Sequence, residues 1–274
     1  MWKRHWRLTR DPFLDGGAPY VPTAPHQEAV ARFVHTIESA QRRASVQATP
    51  GRGKSVVLAR ALAEARSPTR RVAHVSSPTD GAAMLSALAE GLGARIAPGA
   101  GRAAAWKALA DAVRLCRWQR LQVVLAIDDA QDLVAPTDRL DLDRLVQLDP
   151  HPEARLTILL AFRISGDDEE VRTPWDLAIR LPALARSDAE RYVTTKLAAA
   201  GRDEPTFTPR ALHRLHAASA GVPRGLDRLA SLALMAGAVR GLEIVTPEVV
   251  EGVAHECTLP APITAPSPTW GASD

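Results

Sequence analysis

The stretch Ala48-Thr49-Pro50-Gly51-Arg52-Gly53-Lys54-Ser55 decides how the rest of the chain is read. The residues before it, 44–47, read as a short strand, and 54–64 after it read as a helix. A strand, a Gly-rich turn and a helix start, in that order, make a cradle for phosphate. Gly51 and Gly53 let the backbone curl so that successive N–H groups point inward. The helix start adds the positive end of its dipole. Lys54 supplies a point charge for the β- and γ-phosphates of a nucleotide, and Ser55 a hydroxyl ligand for Mg2+. Ala48 stands where such loops usually begin with glycine, a substitution that costs little if the residue keeps φ negative. The expected phosphate-contacting set is Ala48, Thr49, Pro50, Gly51, Arg52, Gly53, Lys54, Ser55 and Val56.

Working outward, helical spacing of Ala29, Val30, Phe33, Val34 and Ile37 predicts a helix over 26–40 ahead of the loop. Further strands are expected at 72–76, 121–127, 156–162 and 178–181, with helices at 81–92 and 103–118. The run LQVVLAI, 121–127, is apolar throughout, as a strand covered on both faces should be. It ends in Asp128-Asp129, at the sheet edge where open α/β folds bind ligands. Asp128 is the expected Mg2+ ligand with Ser55, and Asp129 the group that polarises an attacking water. Alternation of strand and helix predicts a parallel sheet.

The chain has 274 residues, 46% apolar and 24% charged, enough to bury a core and too apolar for a disordered tail. With 34 basic against 31 acidic residues, the net charge of +3 permits an acidic partner without demanding one. Cys116 and Cys257 are too few for a disulfide framework or a four-ligand zinc site. The opening MWKRHWRLTR lacks an apolar core, so no secretory signal is expected, and the apolar run 229–239 is too short to span a bilayer. The expectation is a soluble, cytoplasmic α/β protein.

After residue 185 the pattern becomes helical. Ser187 and Glu190 predict a capping box, Gly201 a helix end, and Thr208-Pro209, Pro223 and Thr246-Pro247 further helix starts. The expected organisation is an arm over 1–25, an αβα nucleotide-binding domain over 26–185, a helical lid over 186–256 and a Pro-rich disordered tail over 257–274. Lys3, Arg4, Arg7 and Arg10, with Trp2 and Trp6, either grip nucleic acid or form a solvated terminus whose aromatics pack on the core. His213 and His216 share a helix face, but no third ligand has metal-site spacing, so they read as a surface pair.

Four blocks together resemble the AAA+ ATPases, in the branch of the general secretion pathway protein A and the transposition regulators TnsC and TniB. They are WRLTRDPF (6–13), HQEAVARFVHTIESA (26–40), IDDAQDL (127–133) and Gly221-Val222-Pro223-Arg224. The resemblance covers residues 6–256. It implies a three-layer αβα P-loop NTPase with parallel strand order 5-1-4-3-2 and a small C-terminal all-helical lid. By this resemblance Lys54, Ser55 and Asp128 match nucleotide and Mg2+ positions, and Gln131 matches the Gln of the family's DEAQ block. Asp129 stands in place of a catalytic Glu, and Arg224 matches the sensor-2 arginine that reaches the γ-phosphate. Phe13, Tyr20 and His26 lie where the family builds its adenine pocket. The sensor-1 position falls on Arg163, and Arg172 and Arg180 are the residues that could stand in for an arginine finger, ordinary surface arginines being the alternative.

The implied function is Mg2+-dependent ATP binding and hydrolysis by a nucleotide-driven switch or assembly factor that self-associates when ATP-bound, with a protein partner unnamed by the sequence. The alternatives are an ATP-dependent, DNA-associated regulator contacting DNA non-specifically, and a nucleotide-binding switch with little hydrolysis. The last follows from Asp129, one methylene shorter than Glu, since a misplacement of about 1 Å can cost about 10²-fold in rate.

Overall fold

A computed structural model describes residues 1–14, 20–97, 99–151, 154–165 and 177–257. Of the expected Pro-rich tail, 257–274, only Cys257 is among the described residues, and Arg172 lies outside them. The described residues form two compact units. One holds residues 28–50 and 54–181, the other 1–27, 51–53 and 182–257.

The first unit is built on a five-stranded sheet of β1 (Arg43–Ala48), β2 (Arg70–Ser76), β3 (Gln122–Asp128), β4 (Leu156–Arg163) and β5 (Leu177–Arg180). Their order is β2-β3-β4-β1-β5, which is 5-1-4-3-2 read from the other edge, and every pairing is parallel. β3 is buried along its whole length and β4 up to its last residue, whereas the edge strand β2 alternates between covered and exposed. That is how central and edge strands of a covered sheet differ.

Alternate residues of β3 enter different cores. Val123, Leu125 and Ile127 pack with Met84, Leu88, Leu109 and Leu142, which come from α4 (Gly81–Gly91), α5 (Arg102–Trp118) and α6 (Pro136–Leu145). Val124 and Ala126 pack with Phe33, Ile37, Val57 and Leu58, from α2 (Ala24–Glu38) and α3 (Lys54–Glu64). Period-two alternation on a sheet with helices on both faces gives three layers. α4 starts where the Asp80 carboxylate accepts the Ala83 N–H at 2.8 Å, an N-cap.

The strand pairing fixes what meets at the carboxyl edge. Ser76 pairs with Asp128 and Ala48 with Arg163, so the tips of β2, β3, β4 and β1 follow one another along it. At β1 and β4 the spatial order departs from chain order, and crevices at such points are where open sheets bind ligands.

The second unit is a helical core formed by α7 (Arg186–Ala199), α8 (Pro209–Ser219), α9 (Pro223–Val239) and α10 (Pro247–Glu256), joined by the N-terminal residues Trp6, Leu8, Phe13 and Val21. The short α1 (Trp2–His5) leads into Trp6, which is 1% exposed and donates its indole N–H to the Leu234 carbonyl at 2.8 Å. Thr9 and Arg10 bond the Ala200 and Ala199 carbonyls. Of the two expectations for the arm's aromatics, packing on a core describes Trp6.

The start of α7 differs from the expected capping box. Ala185 is the N-cap, and Glu190 reaches Arg186 at 3.3 Å instead of folding back on Ser187. The cause is non-local. Leu184 is pinned by its N–H on the Gly221 carbonyl and by the His216 ring nitrogen on its own carbonyl, both at 2.9 Å, so the chain turns into helix earlier than the local signal asks.

Candidate nucleotide-binding site

The loop from β1 to α3 takes the shape its glycines permit. Gly51 has φ +81° and Gly53 φ +91°, in the left-handed region that side chains other than glycine enter at a cost. Ala48 keeps negative φ as the last residue of β1, and its carbonyl accepts the Ile164 N–H, so no glycine is required there. Lys54, 7% exposed, opens α3 and folds back so that its ammonium donates to the Ala48 carbonyl at 3.1 Å and the Thr49 carbonyl at 3.5 Å. Ser55 and Val56 are exposed on the first turn of α3, as is Pro50 before it.

At the tip of β3, Asp128 is 4% exposed, and its Oδ1 accepts the Asp129 N–H at 2.9 Å. Asp129 itself sits in the left-handed region with φ 52°. Its Oδ2 accepts the Ser77 hydroxyl at 2.9 Å and its Oδ1 the Gln131 amide at 3.1 Å. Ser77 follows β2 and is also left-handed, with φ 46°. Two non-glycine residues held in that region and bonded to each other are the kind of strain that folded proteins keep at working sites. Burial pushes the Asp129 carboxyl up, but the Gln131 and Ser77 donors and the charges of Lys54 and Arg163 outweigh it and hold the group below the usual carboxylate range. Asp129 is thus a carboxylate at neutral pH, within electrostatic reach of Lys54.

In the second unit, Gly51–Gly53 lie against His26 and the start of α9. The Arg224 N–H donates to the Gly51 carbonyl at 3.2 Å. A Cβ at Gly51 would come within 2.9 Å of Arg224 Cβ, and one at Gly53 within 2.9 Å of His26 Nε2. The Arg224 side chain is exposed. His26 Nε2 bonds the Arg52 carbonyl at 2.8 Å, and since a carbonyl only accepts, this nitrogen carries the hydrogen. Burial lowers the ring's pKa below the ordinary histidine value, and the Arg52 carbonyl and the Asp188 charge offset that only in part.

The remaining candidates fall as follows. Phe13 is 5% exposed in the helical core, with the Lys196 ammonium 5.9 Å from its ring centre. Tyr20 is half-buried, and Arg163 and Arg180 are exposed at the ends of β4 and β5. His213 is exposed, and His216 is used by the Leu184 carbonyl. Among the described residues no cluster of three or more His, Cys, Asp or Glu could hold a metal on its own, and no helix is long and apolar enough to cross a membrane. Sequence reasoning missed Ser77. Its one available signal was a hydroxyl just past a strand that neighbours the Asp-Asp strand.

Residues 37–166 match the family described as an AAA domain. The chain is 33% identical over 129 residues to the general secretion pathway protein A of Aeromonas hydrophila, a match covering 43% of this chain and 23% of that protein. The chain therefore spans under a quarter of that relative's length. Two solved structures share the fold. The ORC1 protein of Aeropyrum pernix in complex with DNA has a TM-score of 0.68 at 18% identity, covering 89% of this chain and 68% of that one. Cdc6p of Pyrobaculum aerophilum has a TM-score of 0.69 at 19% identity, covering 91% and 71%. A Gly-rich loop between β1 and α3, acids at the tip of β3 and a parallel sheet in this order agree with those matches: residues 37–166 match an AAA domain, share the fold of those P-loop AAA+ structures and are homologous to part of general secretion pathway protein A.

Proposed function

We propose that this chain binds Mg·ATP and hydrolyses it, and that nucleotide state sets its assembly with itself or a partner. The observation that carries the reading is the left-handed Gly51 and Gly53 loop running into Lys54, whose charge acts on the Asp129 carboxylate at the β3 tip. The Ala48–Val56 backbone and the start of α3 would cradle the phosphates, with Thr49, Pro50 and Arg52 shaping the loop. Lys54 would exchange its loop-carbonyl partners for phosphate oxygens, a stronger charge-assisted bond.

Ser55 and Asp128 fit Mg2+. They are hard oxygen donors, too few to enclose a cation, which suits an ion that takes its other ligands from phosphate and water. Bound there, the ion would neutralise phosphate charge. Asp129, ionised at neutral pH, would orient the attacking water and accept its proton. By its match to the family's sensor-2 arginine, Arg224 would supply a positive charge to the γ-phosphate. A cytoplasmic setting with ample ATP suits this role.

Phosphate release by the whole chain is the test, beside Lys54→Ala and Asp129→Asn. The expected result is Mg2+-dependent turnover that Lys54→Ala reduces to background. A wild type no faster than Lys54→Ala rejects hydrolysis. Equally slow wild type and Asp129→Asn, with nucleotide still bound, would leave a binding switch, which the short Asp129 side chain favours. The DNA-associated reading has its own support in the exposed Lys3, Arg4 and Arg7 and in a fold neighbour solved with DNA. Duplex DNA added to the same assay should then bind in a salt-dependent way and change turnover. Self-association should appear in sedimentation only with ATP.

A further inference from the structure

Asp129 is a short acid whose carboxylate is fixed by its neighbours, and one of these does more than donate. Asp129 begins a 3-10 turn, Ala130–Asp132, closed by the Asp132 N–H on the Asp129 carbonyl at 3.0 Å. The turn folds Gln131 back over Asp129. The Gln131 amide nitrogen donates to Asp129 Oδ1 at 3.1 Å and to Asp132 Oδ1 at 3.2 Å, and its oxygen accepts the Arg163 backbone N–H at 2.8 Å.

Which way this amide faces is dictated by chemistry. A backbone N–H only donates, so the atom facing Arg163 must be the oxygen. Carboxylates only accept, so the atom facing Asp129 and Asp132 must be the nitrogen. A single planar group is thus locked between the acid past β3 and the last residue of β4. No carboxylate could replace it without meeting Asp129 and Asp132 with like charge.

We infer that Gln131 is a positioning residue: it sets the Asp129 carboxylate and ties it to the tip of β4, so that a shift of Arg163 is felt at the acid. The inference rests on the ATPase reading and extends it to the regulation of the same site. It does not involve nucleotide affinity, because Gln131 touches no residue of the phosphate loop among its described bonds.

The test uses two variants of nearly the same shape in the whole chain, measured for ATP turnover, for binding of a fluorescent ADP analogue and for melting temperature. Gln131→Glu keeps an acceptor for the Arg163 N–H but loses both donations and adds a like charge. Gln131→Met loses the donations and the acceptor together. A positioning role predicts that kcat falls by about tenfold or more in both, at least as far in Gln131→Glu, as expected for a displaced catalytic group, while ADP affinity stays within about threefold. A role confined to bracing the turn against β4 predicts the reverse ranking, with Gln131→Glu close to wild type and only Gln131→Met impaired and less heat-stable. Wild-type kcat in Gln131→Glu, or a loss of ADP binding matching the loss of kcat, overturns the inference and leaves the ATPase reading intact. A wild type no faster than Lys54→Ala overturns both.

Discussion

His26 shows how a single buried side chain links pH to the loop. Its native pKa lies below the ordinary value of 6.5 because burial disfavours the charged ring, with the Arg52 carbonyl and Asp188 opposing that shift. Between the native value and about 6.5 the unfolded chain binds a proton that the native chain does not. Stability therefore falls as pH drops through about 6.5 towards the native pKa, levels off below it, and is unaffected by His26 above that window. Melts at about pH 5.5 and about pH 7.5 should show a larger acid loss in wild type than in His26→Gln, which cannot titrate; equal losses would mean that the ring is not held neutral. At this scale the glycine turn ahead of α3 and the paired acids at the tip of β3 were readable because each is a local run of residues. The His26 role was not. The resemblance sets it where the family builds its adenine pocket, and only the structure shows its ring bonded to a carbonyl 26 residues along the chain. Ser77 was hidden for a similar reason, since it meets Asp129 only through the pairing of β2 with β3.

Elements with long apolar runs or terminal punctuation declared themselves, and those held by charge did not. β3 and β4 are apolar because both faces are covered, while α8 opens on Thr208-Pro209 with the Thr208 hydroxyl capping the Ala211 N–H. α6 sends Asp138 and Asp141 inward as well as Leu142 and Leu145, so no apolar stripe marks it. Its acids are satisfied from α5. Arg102 bonds Asp138 at 2.5 Å and Asp141 at 2.7 Å, and the Trp106 indole N–H reaches Asp141 at 2.9 Å. A helix docked through buried carboxylates depends on its cation, because an unpaired buried acid is costly. Arg102→Gln should therefore speed amide exchange across α6 while β3 stays protected. Unchanged exchange in α6 would show that its leucines alone hold it.

At the level of the whole molecule, the strand order came from the resemblance, because strand-by-strand patterning says which faces are covered and not which edges pair. Nor did patterning show that the first residues of the chain enter a core built by its last helices. Trp6 fills a space against Gly237 so close that a Cβ there would lie 2.9 Å from the indole, and it satisfies its N–H on Leu234. This makes the N-terminal segment part of the helical unit's stability, whatever its exposed lysine and arginines do. Trp6→Ala should lose about 3–5 kcal/mol of that stability, the usual cost of emptying a buried aromatic site, read as faster exchange at α9 amides. Triple charge reversal at the exposed Lys3, Arg4 and Arg7 should leave α9 protection unchanged, since surface charges contribute little. The pair of variants thus separates two uses of one short segment. If Trp6→Ala left α9 protection at its wild-type level, the segment would be an appendage. If charge reversal alone weakened binding to duplex DNA while α9 held, the one segment would supply a core residue in Trp6 and a basic surface in Lys3, Arg4 and Arg7.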